Sequence, residues 1–181
     1  MSRTGTGRLF YTARLQYASL TPPAAIDRGL RIERRYQRYS PDALGPAATG
    51  FADGDLVRVT LTITLPHEGR FLAFTDPVPA GFEPVDGTLK TTAADLGAVA
   101  TTQSSATDRF AWWRRGGFDH VEKHDDKVMA FATRLGAGRH EFTYLVRATT
   151  AGTFSAPGAF GEAMYAPEIT GRSAAQTVAV K

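Results

Sequence analysis

The sequence predicts an all-β protein, an antiparallel β-sandwich of seven to nine strands with at most one short helix. Three observations predict this class. Apolar residues alternate with polar ones in several runs, turn-forming residues separate the runs, and no stretch sustains a helical period. Residues 55–65 show the alternation best, with Val57, Val59, Leu61 and Ile63 set against arginine and threonine neighbours. A period of two is the period of a strand, so this run predicts a core strand with one solvated face.

The remaining runs follow the same logic along the chain. Residues 136–138 are Gly-Ala-Gly, and the glycines can turn the chain at little cost, so the two runs that flank them predict a hairpin. A short helix over residues 93–98 has only weak support in a segment dominated by small residues. The predicted strands occupy residues 8–18, 29–39, 55–65, 70–74, 127–133, 139–147, 153–156 and 175–180.

Length and composition exclude several classes of function. A chain of 181 residues is one domain, or one domain with a short appendage, and it is long enough to fold without a covalent staple. It has no cysteine, which excludes disulfides, thiolate metal sites and a cysteine nucleophile. No cofactor is predicted.

The net charge of +3 is a small surplus of 21 Lys and Arg over 18 Asp and Glu. One dense basic group stands out, and we interpret it as a solvated strand face, with an anion or nucleic-acid patch as the alternative. Its members are Arg28, Arg31, Arg34, Arg35 and Arg38. No nucleic-acid partner is therefore predicted.

Neither a membrane span nor a signal peptide is visible in this sequence. No stretch approaches the ~20 apolar residues that a spanning helix requires, and residues 1–7 contain no apolar signal region. The chain is therefore predicted either to be cytoplasmic or to be part of a longer exported protein, without direct membrane insertion.

Two groups of residues invite a chemical interpretation. His120 and His124 stand among acidic residues, but side chains four apart on a strand lie ~13 Å from each other, too far to share one ion. We therefore predict a charged edge strand and no metal. Catalysis is not predicted either, because the sequence has no nucleophile elbow, and a strand follows the glycines at 136–138 where a phosphate loop needs a helix.

The adjacent Trp112 and Trp113, beside two arginines, could stack on a sugar or a base. Neighbours on a strand face opposite sides, so we expect one tryptophan in the core and the other exposed or at an interface.

Several segments of the second half resemble the C-terminal macroglobulin-like domain of bacterial α2-macroglobulins, the domain that corresponds to the vertebrate receptor-binding domain. The order and spacing of these segments carry the resemblance, and no one of them is specific alone. They are DHVE at 119–122, DDKV at 125–128, YLVRATTAGTF at 144–154 and EAMYAPEITGRSA at 162–174.

The resemblance implies a macroglobulin-like, immunoglobulin-like sandwich over residues 28–181. Residues 1–27 would be the terminal strand or the linker of a preceding domain. The whole protein would be a periplasmic protease trap, exported as part of bacterial defence. The reactive thioester of the family needs a cysteine, so it would lie in a neighbouring domain and not in this chain.

The resemblance also implies roles for Tyr165 and its neighbour Met164, which lie in a proline-flanked loop. An aromatic residue of this domain would cover the thioester and keep water and amines away until a protease triggers the trap. The partners would be the thioester domain and, through the whole protein, proteases. The simpler interpretation, that Tyr165 anchors its loop by burying its ring, stays open.

A function from a different class remains as the alternative. The chain would then be a stand-alone adhesion or carbohydrate-binding sandwich that uses Trp112 or Trp113. An exposed aromatic platform beside polar groups would favour it, whereas an exposed Tyr165 with buried tryptophans would favour the shield. An enzyme would require His120, a serine and a carboxylate to converge in one cleft.

Overall fold

The computed structural model describes residues 4–6, 8, 10–16, 21–40, 45–85 and 117–181, and these residues form an all-β fold. Thirteen strands are present in this part of the chain. They are β1 (Ile26–Arg28), β2 (Arg31–Arg38), β3 (Gly50–Phe51), β4 (Leu56–Leu65), β5 (Gly69–Pro77), β6 (Phe82–Pro84), β7 (His120–Lys123), β8 (Lys127–Leu135), β9 (Gly138–Ala148), β10 (Gly152–Ala156), β11 (Phe160–Ala163), β12 (Ala166–Arg172) and β13 (Gln176–Val180).

The strands assemble into three sheets that share one core. The six-stranded sheet has the order β1, β12, β11, β5, β8, β7, and the four-stranded sheet has the order β2, β4, β9, β6. A three-stranded sheet of order β10, β13, β3 completes the fold, and its β3–β13 pair is parallel while the other strand pairs are antiparallel. One hydrophobic cluster draws residues from all three sheets, so the predicted sandwich class is confirmed.

Strand periodicity located the buried faces well. In β4, Val57, Val59, Leu61 and Ile63 are each at most 1% exposed. In β13, Val178 is fully buried, as its alternation predicts. The strand count is nevertheless higher than the predicted seven to nine, because five of the thirteen have only two to four residues. Runs so short hold too few repeats to show a period.

The predicted hairpin around residues 136–138 is wrong. Strand β8 pairs with β5 and β7 in the six-stranded sheet, whereas β9 pairs with β4 and β6 in the four-stranded sheet. The turn therefore carries the chain from one layer to the other. Periodicity shows which face of a strand is buried, but a short turn can join either two neighbours in a sheet or two facing layers.

Two other predicted elements have different outcomes. The described residues between 4 and 16 lie outside any strand, with Phe10 85% and Leu15 84% exposed. The expected strand over residues 8–18 is thus absent from the described part of that segment. The short helix expected over residues 93–98 falls outside the described residues.

A buried ion pair joins the three sheets. Arg34 of β2 donates from Nη1 to Asp76 Oδ1 of β5 at 2.6 Å and from Nη2 to the carbonyl oxygen of Ala156 in β10 at 2.9 Å. Both charged side chains are 0% exposed. Tyr144 of β9 donates its hydroxyl proton to Asp76 Oδ2 at 2.7 Å. Burial raises the pKa of Asp76, while the Arg34 charge and these hydrogen bonds act in the opposite direction.

Asp76→Asn is expected to lower the free energy of unfolding by ~3–5 kcal/mol, because it leaves the Arg34 charge buried without its counter-ion. Urea denaturation of the two chains measures the difference. Glu33→Gln is the matched control. Its partner Arg31 also lies at 2.6 Å, but the two side chains are 61% and 59% exposed. Exposed pairs contribute at most ~1 kcal/mol, so equal losses in both variants would contradict this account.

A glycine allows β12 to pass close to the chain that leads from β1 into β2. A Cβ atom added at Gly171 would lie 2.0 Å from the carbonyl oxygen of Leu30, which no real contact allows. Because the obstacle is backbone rather than a flexible side chain, the strand itself would have to move.

Gly171→Ala is therefore expected to destabilise the fold by ~1–3 kcal/mol through overpacking. Thermal unfolding followed by circular dichroism measures the change. Gly136→Ala serves as the control, since nothing lies within 4 Å of a Cβ atom at that position. A Gly171→Ala protein as stable as the Gly136→Ala protein would show that the close approach is not needed.

Candidate interaction surface

The tip of the β11–β12 hairpin presents two large apolar side chains to solvent. Ala163 of β11 pairs with Ala166 of β12, so Met164 and Tyr165 form a two-residue turn between them. Met164 is 53% exposed and Tyr165 is 80% exposed. The structure thus places both residues together in a turn, on a rigid pair of strands. Because its ring is exposed, Tyr165 does not anchor this turn by burying its ring.

The path of β12 explains why the tip projects. Glu162 pairs with Thr170 while the next residue, Ala163, pairs with Ala166, so three residues of β12 are left over between the two pairs. These are Pro167, Glu168 and Ile169, and all three are exposed. A bulge of this kind bends the strand, and proline suits it because proline has no N–H to give to a ladder.

A second aromatic residue, Phe71, joins the tip, and the sequence analysis missed it. Phe71 of β5 is 47% exposed, and its ring lies edge-on to the Tyr165 ring, with centroids 5.2 Å apart at 87°. The Met164 N–H donates to the Phe71 carbonyl oxygen at 2.8 Å. We call Phe71, Met164 and Tyr165 the aromatic tip. Phe71 also has a positive φ of 51°, a rare conformation for a bulky residue that costs of order 1–3 kcal/mol.

Charged residues accompany Phe71 at the start of β5. Glu68 accepts from Arg70 Nε at 3.0 Å and from Arg134 Nη2 at 2.5 Å. The hydrogen bond from Arg134, followed by that from Arg70, lowers the pKa of the Glu68 carboxyl, so this group stays ionised. An apolar centre with charged side chains near it is the usual composition of a protein interface.

The other predicted sites have different outcomes. Trp112 and Trp113 lie outside the described residues, so their proposed aromatic contact stays a prediction. His120 and His124 both contact the carboxylate of Glu122 between them, at 3.3 and 3.1 Å. The hydrogen bond from His124 is the main cause that lowers the pKa of Glu122. Among the described strands, β7, which carries His120 and Glu122, lies at the edge of the six-stranded sheet, as predicted. Within the described ranges, no group of three or more His, Asp or Glu side chains is arranged to hold a metal.

The prediction that the five arginines form one solvated strand face is wrong, since Arg28 lies in β1, the other four lie in β2, and one of these four is buried. Arg34 is buried in the ion pair with Asp76, while Arg31 pairs with Glu33 and Arg38 pairs with Asp55. Arg34 shares its strand parity with Ile32 and Tyr36, both of which are in the core. Parity was therefore the signal that could have placed it there.

An open groove lies between β1, β2 and the residues that follow β12, with a volume of about 480 Å³. Its one hydroxyl side chain, Ser173, is 1% exposed and is occupied by backbone groups. The Ser173 hydroxyl accepts from the Ala159 N–H at 2.9 Å and donates to the Ala174 carbonyl oxygen at 3.3 Å. Of the residues that the structure describes, no histidine lines this groove, and His120 contacts Glu122 on β7. No helix of the described segments is long and apolar enough to cross a membrane.

Comparison with known proteins gives a consistent result. A family model described as the bacterial alpha-2-macroglobulin MG10 domain matches residues 29–168. The chain is 32% identical over 190 aligned positions to an alpha-2-macroglobulin homolog of Nostoc, covering 100% of this chain and 9% of that protein. It is 30% identical to an alpha-2-macroglobulin of Xylella fastidiosa, covering 87% of this chain and 9% of that protein. The chain thus spans about a tenth of the length of these relatives.

Solved structures show the same fold. Escherichia coli alpha-2-macroglobulin activated by porcine elastase superposes with a TM-score of 0.72 at 24% identity, over 90% of this chain and 14% of that one. A crystal structure of the native Escherichia coli protein from domain MG7 to the C-terminus superposes with a TM-score of 0.69 at 23% identity. The match covers 90% of this chain and 25% of that fragment.

Proposed function

Because the chain belongs to the bacterial alpha-2-macroglobulin MG10 domain family, we propose that it is the non-catalytic C-terminal domain of a protease-trapping protein. In this proposal, the domain packs against a thioester-bearing neighbour and moves when a protease is trapped. The parent protein is exported and works in the periplasm. The thioester itself lies in the neighbour, since this chain has no cysteine.

The MG10 model matches 140 consecutive residues, from 29 to 168, which identifies the domain family and not a position in the parent protein. Two other observations support the C-terminal position. The fold recurs within a fragment of the Escherichia coli protein that runs from MG7 to the C-terminus. The resemblance of residues 162–174 to the last domain of the family points the same way.

The exposed aromatic tip is the single observation that carries the shielding role. Met164 and Tyr165 expose apolar surface at a projecting turn, where a monomeric domain gains nothing from it. Packed on a neighbour, the same ring and thioether would exclude water from whatever they cover. A thioester survives only where water and amines are kept away, so a bulky apolar cap suits it.

Tyr165→Ala in the full parent protein is expected to shorten the lifetime of the unprovoked thioester by at least about tenfold, a factor that needs only ~1.4 kcal/mol of protection. Incorporation of methylamine before any protease is added measures the lifetime. Tyr165→Phe keeps the ring and is expected to keep most of the protection. In the isolated chain, Tyr165→Ala is expected to change the Tm little, since the residue is 80% exposed.

Val121→Ala is the matched control, because Val121 is an exposed apolar residue on β7, outside the aromatic tip. It is expected to leave the thioester lifetime unchanged. If Tyr165→Ala reacts with methylamine no faster than the wild type and Val121→Ala do, the shielding role fails.

The segment before β1 supports a second part of the proposal. Phe10, Tyr11 and Leu15 are 85%, 68% and 84% exposed, and the described residues around them are in no strand. Tyr11 and Leu15 share one face of the alternating pattern over residues 8–18. The predicted boundary at residue 27 falls inside β1, which pairs with β12 in the sandwich. We infer that the residues before β1 supply the terminal strand or linker of a preceding domain, whose core would bury these side chains.

Hydrogen exchange tests this inference directly. The amides of residues 10–16 are expected to exchange at unprotected rates in the isolated chain, and at least ~100-fold more slowly in the full parent protein, where strand pairing would protect them. The amides of β4 serve as the internal control, since they are paired on both sides in the chain itself. Equal exchange rates for residues 10–16 in both proteins would contradict the assignment of this segment to a preceding domain.

A further inference from the structure

Phe71 departs from strand geometry without disturbing the strand around it. Its φ of 51° lies in the left-handed region, which a phenylalanine rarely adopts. On either side, Arg70 still pairs with Arg134 and Leu72 still pairs with Ala132, in one unbroken register. Only Phe71 is twisted out of the ladder between β5 and β8. A sparsely populated conformation at a single residue persists only where its surroundings hold it, and such residues cluster at functional sites.

Core packing does not account for this conformation. Leu72 and Phe74 of the same strand are each 1% exposed, whereas Phe71 is 47% exposed. A glycine would adopt the same φ without strain, so the phenylalanine side chain must offer something that offsets the conformation. What that side chain contacts is the Tyr165 ring, edge-on at 5.2 Å.

Phe71 holds both residues of the turn through two independent contacts. Its carbonyl oxygen accepts from the Met164 N–H at 2.8 Å, which fixes the backbone of the turn against β5. Its ring fixes the direction of the Tyr165 ring, which is otherwise 80% exposed. A side chain so exposed would sample several rotamers and would lose that freedom on docking. A ring already held in place loses less.

We propose that Phe71 is a positioning residue for Tyr165, and that its strained backbone turns its ring against Tyr165 so that the aromatic tip is preorganised to dock on the neighbouring domain. This inference rests on the proposed shielding function and adds a residue to it. In this inference, the Tyr165 ring covers the thioester, and Phe71 sets the orientation of that ring.

The first experiment uses this chain and separates position from stability. Phe71→Gly suits the left-handed backbone, so it is expected to leave the Tm within a few degrees of wild type while the contact with Tyr165 is lost. In NMR spectra, the Tyr165 ring protons are expected to move toward the shifts of an exposed tyrosine. Phe71→Tyr keeps the ring and is expected to keep the wild-type shifts.

Phe71→Asn is the second variant, because asparagine tolerates the left-handed region and carries no ring. It is expected to give the same Tyr165 shifts as the glycine variant. Wild-type Tyr165 shifts in both ringless variants would overturn the inference, since the Tyr165 ring would then be held by something else.

The second experiment measures the thioester lifetime in the full parent protein, again by methylamine incorporation. Phe71→Gly is expected to shorten it by about 2- to 10-fold, the range that one edge-to-face contact supports. Phe71→Tyr and Val121→Ala are expected to match the wild type. If Tyr165→Ala shortens the lifetime and Phe71→Gly does not, Phe71 has no positioning role although the shield stands. If Tyr165→Ala has no effect, the shield itself is wrong, whatever the Tyr165 shifts show.

Discussion

The rest of the fold depends on the ion pair between Arg34 and Asp76. Arg34 belongs to the four-stranded sheet, Asp76 to the six-stranded sheet, and Ala156, whose carbonyl accepts the second guanidinium bond, to the three-stranded sheet. Apolar contacts between sheets are tolerant of small slips, since one methyl group packs much like another. A fully buried charge tolerates none, because losing its partner leaves it desolvated and unpaired. The pair therefore fixes where the three layers stand relative to each other.

Strand periodicity predicted the faces of the strands and could not predict their neighbours. The alternation in β4 and β13 placed the buried residues correctly, because burial of one face follows from the period alone. The same rule sets Arg34 on the inward face beside Ile32 and Tyr36, but its charge argued for solvent, and only Asp76, 42 residues away, makes burial possible. The hairpin prediction at residues 136–138 was wrong for a related reason. Whether this turn joins two neighbours in one sheet or two facing layers depends on the strands that β8 and β9 pair with, which are β5 and β4.

For the candidate site, too, the sequence predicted one part and missed another. Proline predicted a loop over residues 163–168, but β11 ends at Ala163 and β12 begins at Ala166, so only Met164 and Tyr165 form a turn. The sequence did not indicate a role for Phe71, because the run of arginine, phenylalanine and leucine at residues 70–72 is typical of an ordinary strand. A positive φ at a phenylalanine is set by the tertiary contacts around it, and those contacts bring β5 against a turn more than 90 residues further along the chain. The local sequence around Phe71 therefore does not predict such a contact.

The buried ion pair and the aromatic tip differ in how completely their side chains are covered. At the ion pair, the Arg34 guanidinium and the Tyr144 hydroxyl each donate to one oxygen of the Asp76 carboxylate, so both oxygens of this buried group are paired. At the aromatic tip, a strained phenylalanine, an exposed tyrosine and an exposed methionine lie together, and they contact one another while remaining 47–80% exposed. Backbone strain and exposed apolar side chains that are concentrated in one small area are the pattern expected where a second surface completes the structure. The tip is therefore better understood as one half of an interface than as a loop that happens to be apolar.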